Sequence, residues 1–109
     1  MATLNVYRVD LDGGKPSFVP ASAGGDDFIN SGKAFLIVKN GGTGAVTVTI
    51  NSQTPCSYGF DHDVQVSVVA GDESWIGPFP KARFNNQDNK VQVTYSDVTS
   101  VTVAAVEVG

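Results

Sequence analysis

Cysteine is nearly missing from this chain of 109 residues. Cys56 stands alone, so no internal disulfide can form and the disulfide-stapled secreted class is excluded. Histidine is as scarce, with His62 the only one. Seven basic residues face eleven acidic ones, giving a formal net charge of -4, and the basic ones do not cluster. Nucleic acid and anionic membrane both require Lys and Arg to neutralise phosphate, so this balance disfavours either as a partner. No apolar run exceeds five residues, too few to span a bilayer. The opening MATLNVYRVDLDGG lacks the basic stretch and apolar core of a signal peptide, which implies a protein made in a cytoplasm. No stretch sustains a 3.6-residue apolar period, so no amphipathic helix is expected. Phosphate-loop, dinucleotide and nucleophile-elbow motifs are absent too, and no acid–base pair stands out; the expectation is a protein that is not an enzyme.

What is present is alternation. AVTVTI (45–50), VQVSVV (64–69), KVQVTYS (90–96) and TSVTVAAVEV (99–108) place β-branched residues at every second position, the mark of a strand with one buried face. AFLIV (34–38) is apolar on both faces and should be a central strand or one covered on both sides. LNVYRV (4–9) and the weaker SFV (17–19), DFI (27–29) and ARF (82–84) complete the set. Clusters of Gly, Asn and Asp separate them, because these residues tolerate the positive φ of tight turns. Lys39-Asn40-Gly41-Gly42, between two strong strands, reads as a hairpin. The apolar fraction of 41% and charged fraction of 17% suit a folded domain and not a disordered chain. The expected architecture is therefore all-β, one domain over 1–109. It would be an antiparallel β-sandwich or jelly-roll-like small barrel of about eight strands.

Trp75, the only tryptophan, lies in ESWIGPF (73–79). Alternation puts Glu73 and Trp75 on one face and Ser74 and Ile76 on the other, with Ile76 the better core residue. Trp75 then either caps the rim of the sandwich, anchors an interface, or forms a sugar-stacking platform together with Tyr58 and Tyr95. Phe79 and Phe84, near glycine-rich turns, join Trp75 as candidate interface residues.

FDHD (60–63) looks like a metal cluster, but consecutive side chains point apart and zinc or copper would want more His and Cys ligands. Cys56 is expected to be a small buried hydrophobe, although a dyad with His62 is conceivable. DLDGG (10–14) and NNQDN (85–89) resemble pieces of calcium loops; Asx turns explain both more simply. No metal or cofactor is expected.

The order AGGDDF (23–28), KAFLIVKNGGTGAVTVTI (33–50), TPCSYGFDHDVQVSV (54–68), AGDESWIGPFPKARFNN (70–86) and VQVTYSDVTSVTVAAVEV (91–108) resembles a group of small all-β proteins. They are encoded among the virion structural genes of tailed bacteriophages and prophages. The most telling piece is IGPFP followed by RFN and then by the VTYS and VTVAA segments. The resemblance implies a capsid decoration or stabilising protein that binds the major capsid protein or other virion proteins. It also implies a homo-oligomer, by analogy a trimer, located in the virion after synthesis in the host cytoplasm. A head–tail or tail component, or a carbohydrate-binding or adhesion module, are the alternatives. The pattern consists of turns and strands and carries no functional residues across. LNVYRV or VTVAAVEV could be an exposed sheet edge open to strand addition.

Overall fold

The computed structural model describes residues 1–53 and 63–108, and in it each strongly alternating segment is a strand. The elements are β1 (Ala2–Thr3), β2 (Val6–Val9), β3 (Val19–Pro20), β4 (Asp26–Ile29), β5 (Ala34–Asn40), β6 (Val46–Ile50), β7 (Val64–Val68), β8 (Glu73–Ile76), α1 (Lys81–Phe84), β9 (Lys90–Tyr95) and β10 (Val101–Val108). They form two sheets packed as a sandwich. The first runs β1-β4-β9-β6-β7 and the second β2-β10-β5-β8, with β3 also paired to β10. The short axis of the molecule, 20 Å, is the thickness of two sheets ~10 Å apart with their outer side chains.

The core lies between the sheets and is made by alternation. Phe28, Val46, Val48, Ile50, Val68, Val91 and Val93 point inward from the first sheet. Leu36, Val38, Ile76, Val101, Val103 and Ala105 meet them from the second. Each such Val, Leu, Ile or Phe contributes about 1.5–3 kcal/mol through the apolar surface it removes from water.

Four expectations from the sequence need correction. The sheets are mixed and open, not purely antiparallel or closed: β1 runs parallel to β4 and β2 parallel to β10. The strands number ten because Ala2–Thr3 and Val19–Pro20 form two-residue pairings too short to leave a pattern. ARF (82–84) belongs to one helical turn, in which Arg83 and Phe84 N–H groups donate to the carbonyl of Pro80. The VTVAAVEV strand is interior, flanked by β5 on one side and by β2 and β3 on the other; LNVYRV supplies the edge.

The Lys39–Gly42 hairpin is not one either. β5 and β6 belong to different sheets, so the glycine turn arches across the sandwich. Asn40 explains this. Its side chain is buried, and Nδ2 donates to the carbonyls of Gly44 (2.8 Å) and Val68 (2.9 Å) while Oδ1 accepts from Gly42 N–H (3.0 Å). Its main chain bonds Asp72 and Gly71, and Gly41 N–H reaches Ser100. One asparagine thus satisfies the main-chain groups that a crossing between sheets leaves without a ladder partner. The 69–72 turn, from β7 to β8, crosses the sandwich beside it.

Candidate functional site

The two outer faces of the sandwich differ in chemistry. Outward positions on the first sheet are Asp27, Thr47, Thr49, Gln65, Ser67, Lys90, Gln92 and Thr94, a mostly polar set that suits a solvated sheet, with Ile29 the one exposed aliphatic among them. Outward positions on the second are Tyr7 and Val9 on β2, Ala104, Val106 and Val108 on β10, Phe35, Ile37 and Lys39 on β5, and Glu73 and Trp75 on β8. Ile37, Ala104 and Val106 are the centre of a second, smaller apolar cluster, with Tyr7, Phe18 and Phe35 packed around them. This accounts for AFLIV being apolar on both faces: one face belongs to the core and the other to this patch.

The patch is only partly roofed. The chain between β2 and β3 passes over it, with Tyr7 Oη donating to the Gly13 carbonyl at 3.4 Å. Gly14 has φ +136°, and a Cβ there would strike the Tyr7 hydroxyl, so glycine lets the segment lie close. Beyond the roof a groove of about 460 Å³ stays open, lined by Tyr7, Pro16, Phe18, Phe35, Trp75 and Val106 among others.

Trp75 forms the exposed wall of that groove. It is 65% exposed, and Ile76 beside it is buried, as alternation requires. The indole stacks on Phe35 with ring centroids 5.4 Å apart and planes 17° apart. Its Nε1–H donates to Glu73 Oε2 at 2.9 Å. Gly77, opposite Phe35 and at φ +132°, leaves the space this stack needs: a Cβ there would sit 2.8 Å from Phe35 Cβ. Lys39, the cross-strand neighbour of Glu73, turns the other way and places Nζ 4.0 Å from the centre of the Phe18 ring. The face therefore presents one cation and one anion, each engaged with an aromatic ring and not with the other.

Of the three candidate interface residues, only Trp75 lies on the surface. Phe79 and Phe84 are each 3% exposed and belong to the core. Phe79 meets Phe28 at 5.9 Å and Phe84 at 5.5 Å. The Phe79 carbonyl is held by Asn30 Nδ2 at 2.9 Å, and Asn30 also bonds Asn85 in both directions. The glycine-rich surroundings suggested exposure; this asparagine pair instead folds 79–84 inward. Phe35, Phe18 and Tyr7 were not singled out by the sequence, where the two-faced apolarity of AFLIV was the one available signal.

Tyr95 lies on the inner face of the other sheet, far from any shared platform with Trp75. Its hydroxyl donates to Asp26 Oδ2 at 2.8 Å, and Asp26 is a buried carboxylate whose other oxygen, Oδ1, has no hydrogen-bond partner. Burial first, and then the Asp26 carboxylate, push the Tyr95 phenol well above its ordinary value near 10. Tyr58, Cys56 and His62 lie outside the described residues. In DLDGG and NNQDN, Asp10 Oδ1 accepts the Asp12 N–H, and Asn86 Oδ1 accepts the N–H groups of Asp88 and Lys90, so both are Asx turns. Among the described residues, no group of three or more His, Cys, Asp or Glu side chains is placed to hold a metal ion. The outer face of the second sheet combines apolar area, aromatic rings and two opposite charges.

Comparison of the chain with protein-family models, curated proteins and solved structures returned no match.

Proposed function

We propose that this chain is a non-enzymatic virion structural protein, a capsid decoration protein that stabilises the assembled head shell of a tailed bacteriophage. The observation that carries this reading is the apolar, aromatic outer face of the second sheet, set against the polar outer face of the first. Its centre is covered, but Trp75, Val9 and Val108 stay exposed around it, and exposed apolar and aromatic residues grouped on one face support a surface for another macromolecule. The resemblance of the IGPFP…RFN and VTYS…VTVAA segments to virion components names the kind of assembly. A protein that binds the assembled shell better than free subunits favours the assembled state by mass action. Presented as a homo-oligomer on a symmetric shell, it also gains avidity without any new contact.

The adhesion alternative is less well supported by the geometry. One face of the Trp75 ring is covered by Phe35 and its N–H is taken by Glu73, so less of the indole is left for a sugar ring. The test is co-sedimentation of the purified protein with virus-like shells. Binding that weakens in Trp75→Ala, with the fold intact by circular dichroism, is the expected result. A folded protein that ignores every virion component but binds glycans, read by tryptophan fluorescence, would replace this reading with the adhesion one.

A further inference from the structure

We propose that the outer face of the second sheet is covered by the same face of a second copy of this chain, related by a two-fold axis. The inference rests on the homo-oligomer in the reading above: it gives this face to the second copy, so that the dimer as a whole is what meets the shell.

Three observations choose the occupant. First, the face is self-complementary in charge. Lys39 and Glu73 sit directly across from each other on β5 and β8, yet they do not pair: Nζ lies over Phe18, and Glu73 accepts from Trp75. A two-fold axis passing midway between the two, across the line that joins them, sets each against its opposite in the second copy. A copy of this chain therefore supplies both missing partners at once, whereas a generally acidic or basic partner would satisfy one charge and repel the other. Second, the face is self-complementary in shape. The exposed Trp75 stands next to the open groove of about 460 Å³, so the indole of each copy can enter the groove of the other. A buried aromatic anchor of this kind is the usual centre of an interface. Third, strand addition at the neighbouring edge is discouraged. The Glu73 N–H is capped by Asp72 Oδ1 at 2.8 Å, and Asp72 and Glu73 place two carboxylates on the β8 edge. Charge on an edge strand opposes pairing with another chain. Pairing through the β8 edge, the one beside Trp75, is thereby disfavoured against face-to-face contact.

The test is trans-complementation followed by light scattering. Wild-type protein should run at about twice the chain mass of 11.4 kDa. Trp75→Ala should raise the dissociation constant of the dimer roughly 30-fold or more, as expected for an anchor residue. Lys39→Glu makes the face wholly acidic and Glu73→Lys makes it wholly basic, so each variant alone should be monomeric. An equimolar mixture of the two should dimerise, because acidic then meets basic across the axis. Both positions are exposed, and circular dichroism checks that each variant is folded.

Wild-type protein that stays monomeric at high concentration would overturn the proposal. So would a trimer unaffected by Trp75→Ala, or a mixture no more associated than its components. The two readings fail separately. A monomer that co-sediments with shells leaves the decoration reading intact and sinks the dimer, and a dimer that ignores shells does the reverse.

Discussion

Trp75 lies flat on Phe35, ring centroids 5.4 Å apart, although the residue directly across the ladder from Trp75 is Ile37. The contact is diagonal, within the reach of aromatic side chains on neighbouring strands. It fixes the indole in an exposed position with its N–H already bonded to Glu73. An exposed ring held in one orientation loses little freedom when a partner covers it, which suits an interface anchor.

Trp75 and Phe79 should separate binding from folding. Trp75→Ala removes a ring that is 65% exposed, and its cost in unfolding free energy should stay near ~1 kcal/mol. Phe79→Ala opens a cavity beside Phe28 and Phe84 and should cost about 3–5 kcal/mol. Urea denaturation of both variants checks this. Equal losses would mean that Trp75 is part of the folding core.

Asn40 should be the least replaceable polar residue. Asn40→Asp puts an acceptor where Nδ2 now donates to the carbonyls of Gly44 and Val68, and should lose about 3 kcal/mol or more. Asn40→Ala leaves the same carbonyls unpaired and should lose about as much. Thermal melts give the answer, and a variant as stable as wild type would show that the arch is held by the rest of the turn.

Gly77→Ala should damage the apolar outer face and the fold together. The added methyl collides with Phe35 at a backbone conformation that only glycine adopts easily, at φ +132°. The expected loss is about 1–3 kcal/mol, with a change in tryptophan fluorescence as the Phe35 stack shifts. An unchanged emission spectrum would show that Trp75 does not depend on Phe35 for its position.

Tyr95 gives the stability curve a basic limb. Its phenol is raised in the folded protein, so the folded state keeps the proton after the unfolded chain has released it. The stability this contributes is fully present below pH ~10 and is lost as pH rises beyond, at up to ~1.4 kcal/mol per pH unit. Tyr95→Phe should lower stability at neutral pH by about 1–3 kcal/mol, through loss of the bond to Asp26, and should flatten the decline above pH 10. Unfolding measured from pH 7 to 11 in both proteins tests the sign. A decline equally steep in Tyr95→Phe would assign it to other groups.

Alternation located VTVTI, VQVSV, KVQVTY and VTVAAVEV and sorted their inner and outer residues correctly, because the pleat is a property of each strand alone. The same rule put Trp75 and Glu73 outside and Ile76 inside. It failed at ARF, where Pro80 offers its carbonyl to two N–H groups and starts a helical turn. It also failed at Phe79 and Phe84, whose burial depends on Asn30, about fifty residues earlier in the chain. Half of the apolar outer face was readable in AFLIV, whose second apolar face demanded a cover. Tyr7, from LNVYRV, and Phe18, from the weaker SFV, complete that cover and take their place only by pairing with or passing over β10 and β5.

That this is an all-β chain, and which residue of each strong strand faces inward, was legible in the residues alone. Both follow from local periodicity and the chemistry of the side chains. Only the tertiary structure decided which sheet each strand joins. The turn at Asn40 becomes an arch instead of a hairpin through bonds to Val68, Asp72 and Ser100, which are distant in sequence. Those contacts divide the strands between a sheet with a polar outer face and one with an apolar outer face. That division, which no single strand records, is what gives Trp75 a groove, a stacking partner and the Glu73 carboxylate that holds its N–H.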